Sequence, residues 1–159
     1  VKGHKIRILD ITGEFEGLTN ALGGKIIALD GSNGIINPLQ VYKTASNEDG
    51  TANERLSFTQ HLSKMSVFYR FLNPDTSNAE IKEYENLLRD LYVKHGLWED
   101  GREENNITDR KVEEYPIFSD FLLYLRSQLY EDVEKQKVFD NIGAVRRERL
   151  EHIELNISN

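Results

Sequence analysis

From Ser77 to Gly96 the chain carries a start signal, an apolar stripe and a stop signal in register, and an α-helix is the structure that satisfies all three. Ser77 and Glu80 have the spacing of a capping box, in which the hydroxyl accepts from a first-turn N–H and the carboxylate reaches back. Ile81, Tyr84, Leu88, Leu91 and His95 follow at intervals of three and four, which lines them along one side of a helix. Gly96 supplies the left-handed residue that ends it. A stripe of this kind needs an apolar partner, and the preceding segment offers one. From Asn53 onward, Phe58, Leu62, Met65, Tyr69 and Leu72 form a second stripe, broken at Asn73-Pro74-Asp75. The link from Asn73 to Thr76 is short, so the two helices are expected to form an antiparallel hairpin.

The helical character continues downstream. Trp98 to Glu114 reads as a charged loop crowded with Glu99, Asp100, Glu103 and Glu104, and is the segment expected to be most mobile. Pro116 and Ser119 introduce a helix bearing Phe121, Leu122, Leu125 and Leu129. Val133, Val138, Ile142, Val145, Leu150 and Ile153 read as a last amphipathic stretch that frays before Asn159.

Upstream the period changes. Lys5 to Asp10 and Lys25 to Leu29 read as short apolar strands, separated by a helix with Phe15, Leu18 and Leu22 that Gly23-Gly24 closes. Strand, helix, strand with a crossover of this length implies a βαβ unit with parallel strands. A turn cluster, Asp30 to Gly34, and Pro38 prevent the pattern from continuing as a central strand. The expected architecture is therefore an α/β edge over residues 1–44, followed by a mainly helical subdomain over 45–159, mostly α overall. Beginning abruptly at Val1, the chain reads as an internal piece of a larger protein. Two strands excised from a wider sheet would leave open edges, so self-association through them is expected.

Composition narrows the function. A net charge of −7 argues against a surface built mainly for nucleic acid, although a local basic patch is allowed. With no cysteine there is neither a disulfide framework nor a thiolate metal site, and the reducing cytoplasm is the simplest location. No apolar run approaches a membrane span. Gly23-Gly24-Lys25 evokes a phosphate-binding loop, but Thr19 replaces its first glycine, Ile26 its magnesium-binding hydroxyl, and Lys25 opens a strand instead of a helix. His4, His61, His95 and His152 lie in separate elements without ligand spacing, so no metal site is expected. Arg146, Arg147 and Arg149, with Lys135 and Lys137, fit a solvated helix face better than a grip on DNA, a phosphate or a subunit. Asp10 and Glu14 are the informative pair: two carboxylates at the end of a presumed parallel strand, where open α/β sheets bind ligands. They are equally the residues expected to end a strand and cap a helix.

Three stretches in order shift that balance: Asp10-x-x-Gly13-Glu14-Phe15-x-x-Leu18, Leu22-Gly23-Gly24-x-Ile26-x-x-Leu29, and Gly34-x-Ile36-Asn37-Pro38-Leu39. With Tyr115-Pro116-Ile117-Phe118-Ser119-Asp120-Phe121, they resemble the conjugative transfer ATPases of type IV secretion, RecA-like P-loop motors for DNA or protein export. Ile11 departs from the proline usual there. The resemblance implies that the phosphate-binding loop precedes Val1 and the magnesium-positioning strand follows Asn159. It also implies that Asp10 and Glu14 face the nucleotide phosphates, with Glu14 orienting the attacking water, and that the helical part is an insertion serving as a lid or partner surface. ATP and Mg²⁺ are the implied cofactors of the whole protein, with none expected for this piece. The implied partners are other secretion subunits, further copies in a hexamer, and DNA, at most peripherally on the cytoplasmic face of the membrane. A competing expectation is a non-enzymatic helical interaction module. A dinucleotide-binding oxidoreductase fits less well, since no Gly-x-Gly-x-x-Gly follows either strand.

Overall fold

A computed structural model describes residues 6, 8, 10, 13–26 and 36–158. The expected strands fall largely outside the described residues, and the proposed strand-edge association falls there with them. The chain divides into two compact units, Val1–Ile36 and Asn37–Asn159. Among the described residues the chain is mostly helical, with one two-stranded sheet. No helix among them is long and apolar enough to cross a membrane.

In the first unit, helix α1 spans Glu16–Ala21. Its end follows from the two glycines: Gly23 has φ +67°, and the N–H groups of Gly23 and Gly24 donate to the carbonyls of Asn20 (3.1 Å) and Thr19 (2.8 Å). That pair of bonds is a Schellman stop, which satisfies carbonyls the helix would otherwise leave open.

The second unit is built on the predicted hairpin. Helix α2 spans Glu54–Leu72 and α3 spans Asn78–Lys94. Asn53 caps α2 by accepting from the Leu56 N–H at 2.9 Å. Pairs across the two helices run His61 with Tyr92, Ser66 with Glu85, and Tyr69 with Glu80, so the helices are antiparallel. Ser77 caps α3 as expected, accepting from the Glu80 N–H at 3.1 Å. The Glu80 side chain does not complete the box, because Tyr69 Oη donates to it at 2.5 Å. Gly96 (φ +69°) ends α3 with a second Schellman stop, Leu97 N–H to Tyr92 O at 3.0 Å. The stripe on α3 is wider than predicted. This helix touches α2, α4 and α5, so Leu87 and Tyr92 are buried too, while His95 is exposed.

Helix α4, Phe118–Leu129, buries Phe121, Leu125 and Leu129. The expected last amphipathic stretch is a hairpin followed by a helix. Strand β1, Tyr130–Asp132, pairs antiparallel with β2, Lys137–Val138, and α5 follows as Ala144–Ser158. Two local features override the helical spacing: Gln136 takes φ +51°, and Asp132 accepts from the Lys135 N–H at 3.1 Å to close the turn. Helix α5 buries Leu150 and Ile153. Its Glu154 accepts from Arg126 Nε at 2.6 Å and from Tyr130 Oη at 2.9 Å, fastening it to α4 and β1.

The core is aromatic. Tyr69 and Tyr84 stack at 4.6 Å, and Tyr84 meets Phe121 edge-on at 5.3 Å. Burial pushes the Tyr84 hydroxyl pKa up, and that hydroxyl has no hydrogen-bond partner. Removing it should relieve a desolvation cost, so Tyr84→Phe is expected to stabilise the protein by about 1 kcal/mol. Urea denaturation of the two proteins checks this, and a loss of stability would show that the hydroxyl is satisfied in solution.

The boundary between the units lies earlier than the expected 44/45. Leu39 and Val41 are fully buried in the helical core. Asn37 Nδ2 donates to Pro116 O at 2.9 Å and Tyr92 Oη to Leu39 O at 2.6 Å, while Tyr115 Oη, which donates to Ile107 O at 2.5 Å, also lies 3.2 Å from Val41 O. Residues 37–44, expected to belong with the strands, therefore form part of the helical unit.

The charged loop is also better fixed than its composition implied. Trp98 and Ile107 are buried, and Glu54 clamps the loop by accepting from Ile107 N (2.8 Å), Thr108 N (2.9 Å) and Thr108 Oγ1 (2.7 Å). Hydrogen bonds to a carboxylate are stronger than neutral ones. Glu54→Ala strands two N–H groups and is expected to cost about 2 kcal/mol. Urea midpoints, with faster amide exchange confined to Ile107 and Thr108, are the measurement.

Candidate functional site

Asp10 and Glu14 separate into distinct roles. The Asp10 carboxylate accepts from the N–H groups of Gly13 and Phe15, both at 2.9 Å, and so closes the turn into α1. Gly13 sits at φ +79°, a conformation that favours glycine. Phe15 takes the N-cap position with no side-chain cap, so Glu14 is not the helix cap that the plain reading expected. Glu14 is exposed on the turn that Asp10 anchors. The structure thus brings the two carboxylates into one tight turn, the first as its anchor and the second on its surface.

The Gly23-Gly24-Lys25 segment is a helix stop. Its glycine N–H groups already serve the carbonyls of α1, so they are not available to a phosphate. A Cβ on Gly24 would lie 2.7 Å from Thr19 Cγ2, which accounts for the second glycine by packing.

In the helical unit the ionisable groups mostly hold the fold. His61, largely buried, has Nε2 2.8 Å from Tyr92 Oη. Burial, with a smaller push from Lys64, lowers its pKa to about 4. Glu80, also buried, receives Tyr69 Oη and lies 3.3 Å from His152 Nδ1, while Asn156 Nδ2 donates to Tyr69 Oη at 3.0 Å. This polar chain ties α2, α3 and α5 together, and residue spacing carries no sign of it because its members lie up to 87 residues apart. Of the basic cluster, Arg146 pairs with Glu83 at 3.0 Å and Arg147 with Glu151 at 2.7 Å. Lys135 and Lys137 pair with Asp132 and Glu131. Most of that charge is therefore met within the chain. Among the described residues no group of three or more His, Asp or Glu is placed to hold a metal ion.

A cleft beside the start of α2 is lined by Arg55, Arg89, Trp98, Arg102 and Glu103. Asp100 accepts from Arg89 and from Trp98 Nε1 (2.9 Å), and the Arg89 hydrogen bond holds its carboxyl below the usual range. The arginines of the cleft face Glu54, Asp100 and Glu103, so charges of both signs are balanced there.

No protein-family model and no solved structure matches the chain. The chain is 33% identical over 129 residues to the uncharacterized protein pXO2-09 of Bacillus anthracis, a stretch that covers 76% of this chain. It spans 20% of the length of that relative.

Proposed function

We propose that the chain is a region of a RecA-like ATPase of conjugative transfer, with residues 1–36 from the nucleotide-facing core and the helical unit an insertion serving as a lid or partner surface. The observation that carries this is the Asp10 turn, which fixes the backbone around Glu14 and leaves its carboxylate open to solvent. Phosphoryl transfer to water needs a group that orients the nucleophile, and a carboxylate on a rigid turn suits that task. The Gly23 and Gly24 N–H groups are occupied by carbonyls of α1, so that glycine pair does not cradle a nucleotide. ATP and Mg²⁺ would be held by other parts of the longer protein, which would act as a hexamer with other secretion subunits and DNA at the cytoplasmic face of the membrane.

A second reading, a helical protein-interaction module, is favoured by the use of Glu54, His61, Glu80 and Glu154 in holding the fold. The longer protein separates the two. Mg-ATP hydrolysis above background, lost on disrupting the Asp10 turn by Asp10→Ala, supports the motor. No hydrolysis by the intact protein would leave the interaction module.

A further inference from the structure

Helix α2 is apolar on both faces. Phe58, Met65 and Tyr69 point into the core, while Leu56 (45% exposed), Val67 (59%) and Phe71 (84%) point outward. A surface helix ordinarily confines its apolar residues to one stripe. Leu56, Ser63, Val67 and Phe71 follow one another at seven, four and four residues, a strip about 22 Å long. Its hydroxyls are already satisfied. Thr59 Oγ1 donates to Arg55 O at 2.8 Å and Ser63 Oγ to Thr59 O at 3.0 Å, so the strip can lose water without stranding either group.

The charge on this face is anomalous too. In a chain of net charge −7, the outward positions of α2 beside this strip hold Lys64 and Arg70 and no carboxylate, while Arg55 belongs to the cleft with Glu54 and Glu103. The single acid of the helix, Glu54, is turned to the loop. Among the described residues, neither Lys64 nor Arg70 is ion-paired; Arg70 Nη2 donates at 2.6 Å to Asn78 Oδ1, a neutral amide. The complement of such a face is an apolar ridge flanked by carboxylates.

We propose that the outward face of α2, from Leu56 to Phe71, docks an acidic amphipathic helix of a partner protein. Val67 and Phe71 meet its apolar side chains, and Lys64 and Arg70 meet its carboxylates. A nucleic-acid backbone would gain little from Val67 and Phe71 and would find only two cations along the strip. A second copy docking through the same face would set Lys64 and Arg70 against their own like charges. The proposal needs only the helical unit, and stands whether that unit serves a motor or an adaptor.

The full chain can be titrated with a fluorescent amphipathic peptide of about 18 residues, leucines on one side and glutamates flanking them. The same peptide with lysine for glutamate, and a single-stranded DNA oligonucleotide, serve as comparisons. The acidic peptide should bind about tenfold tighter than either and weaken with salt. Phe71→Ala and the pair Lys64→Glu, Arg70→Glu should each reduce that binding about tenfold. Urea midpoints should be unchanged for the exposed Phe71→Ala and only slightly lower for the pair, which loses the Arg70–Asn78 hydrogen bond. Equal binding of the two peptides, preference for DNA, indifference to the substitutions, or a dimer in sedimentation that Phe71→Ala abolishes would each overturn the proposal.

Discussion

Acidifying from pH 6.5 to pH 4 is expected to remove about 3 kcal/mol of stability through His61 alone. Tyr92 Oη donates its proton to Leu39 O, so His61 Nε2 must be the donor in the contact between the two side chains. The ring is thereby held as the neutral Nε2–H tautomer. Protonating Nδ1 would place a charge in a largely buried site, which is why the folded pKa falls from 6.5 to about 4. The unfolded chain takes up the proton first. The contribution of neutral His61 is thus complete above about pH 6.5 and is lost as the pH falls toward 4. Urea denaturation across this range, repeated on His61→Gln, isolates the residue from the titrating carboxylates. Glutamine keeps an N–H toward Tyr92 and has no proton to gain, so the variant should lose about 3 kcal/mol less than the parent. Identical pH profiles would show that the ring is hydrated or already charged.

If the motor reading proposed above holds, Glu14→Gln in the ATP-hydrolysing protein is expected to lower kcat about a hundredfold while leaving KM for ATP within about twofold. The amide keeps the size of the side chain and loses the charge that orients a water. Asp10 and Glu14 should respond differently, because only Asp10 holds the turn: Asp10→Asn loses a carboxylate acceptor for the Gly13 and Phe15 N–H groups, and should also disturb α1. Circular dichroism and nucleotide affinity distinguish the two. Unchanged turnover in Glu14→Gln would leave Glu14 an ordinary surface residue.

The parts of this fold that were legible in the sequence are those decided locally. Ser77, Gly96 and the Gly23-Gly24 pair mark helix ends through bonds that close within a few residues, and each end was found where its signal stood. The hairpin of α2 and α3 followed from a short link. What could not be read was set by contacts distant in sequence. Helical spacing from Val133 to Val138 is overridden by a turn that Asp132 and Gln136 build. Leu39 and Val41 were grouped with the α/β edge over residues 1–44 because their partners, Tyr92 and Tyr115, are far along the chain. The loop after Trp98 looked solvated because the carboxylate that fixes it lies on another helix. At the candidate site the residue types were legible and the division of labour was not, since only the backbone geometry shows which carboxylate holds the turn.

The order in which a ribosome delivers these pieces sets a problem that the finished fold conceals. Residues 37–41 emerge at the start of the helical unit, yet Leu39 is secured by Tyr92, 53 residues later, Val41 by Tyr115, 74 later, and Asn37 by Pro116, 79 later. Helices α2 and α3 can pair as soon as both are out, and Leu39 can then meet Tyr92, whereas Val41 and Asn37 wait until the loop after α3 has been made. The first residues of the unit to be synthesised are among the last to be locked, and the interval between is when the nascent chain is most open to chaperones and to misplaced contacts.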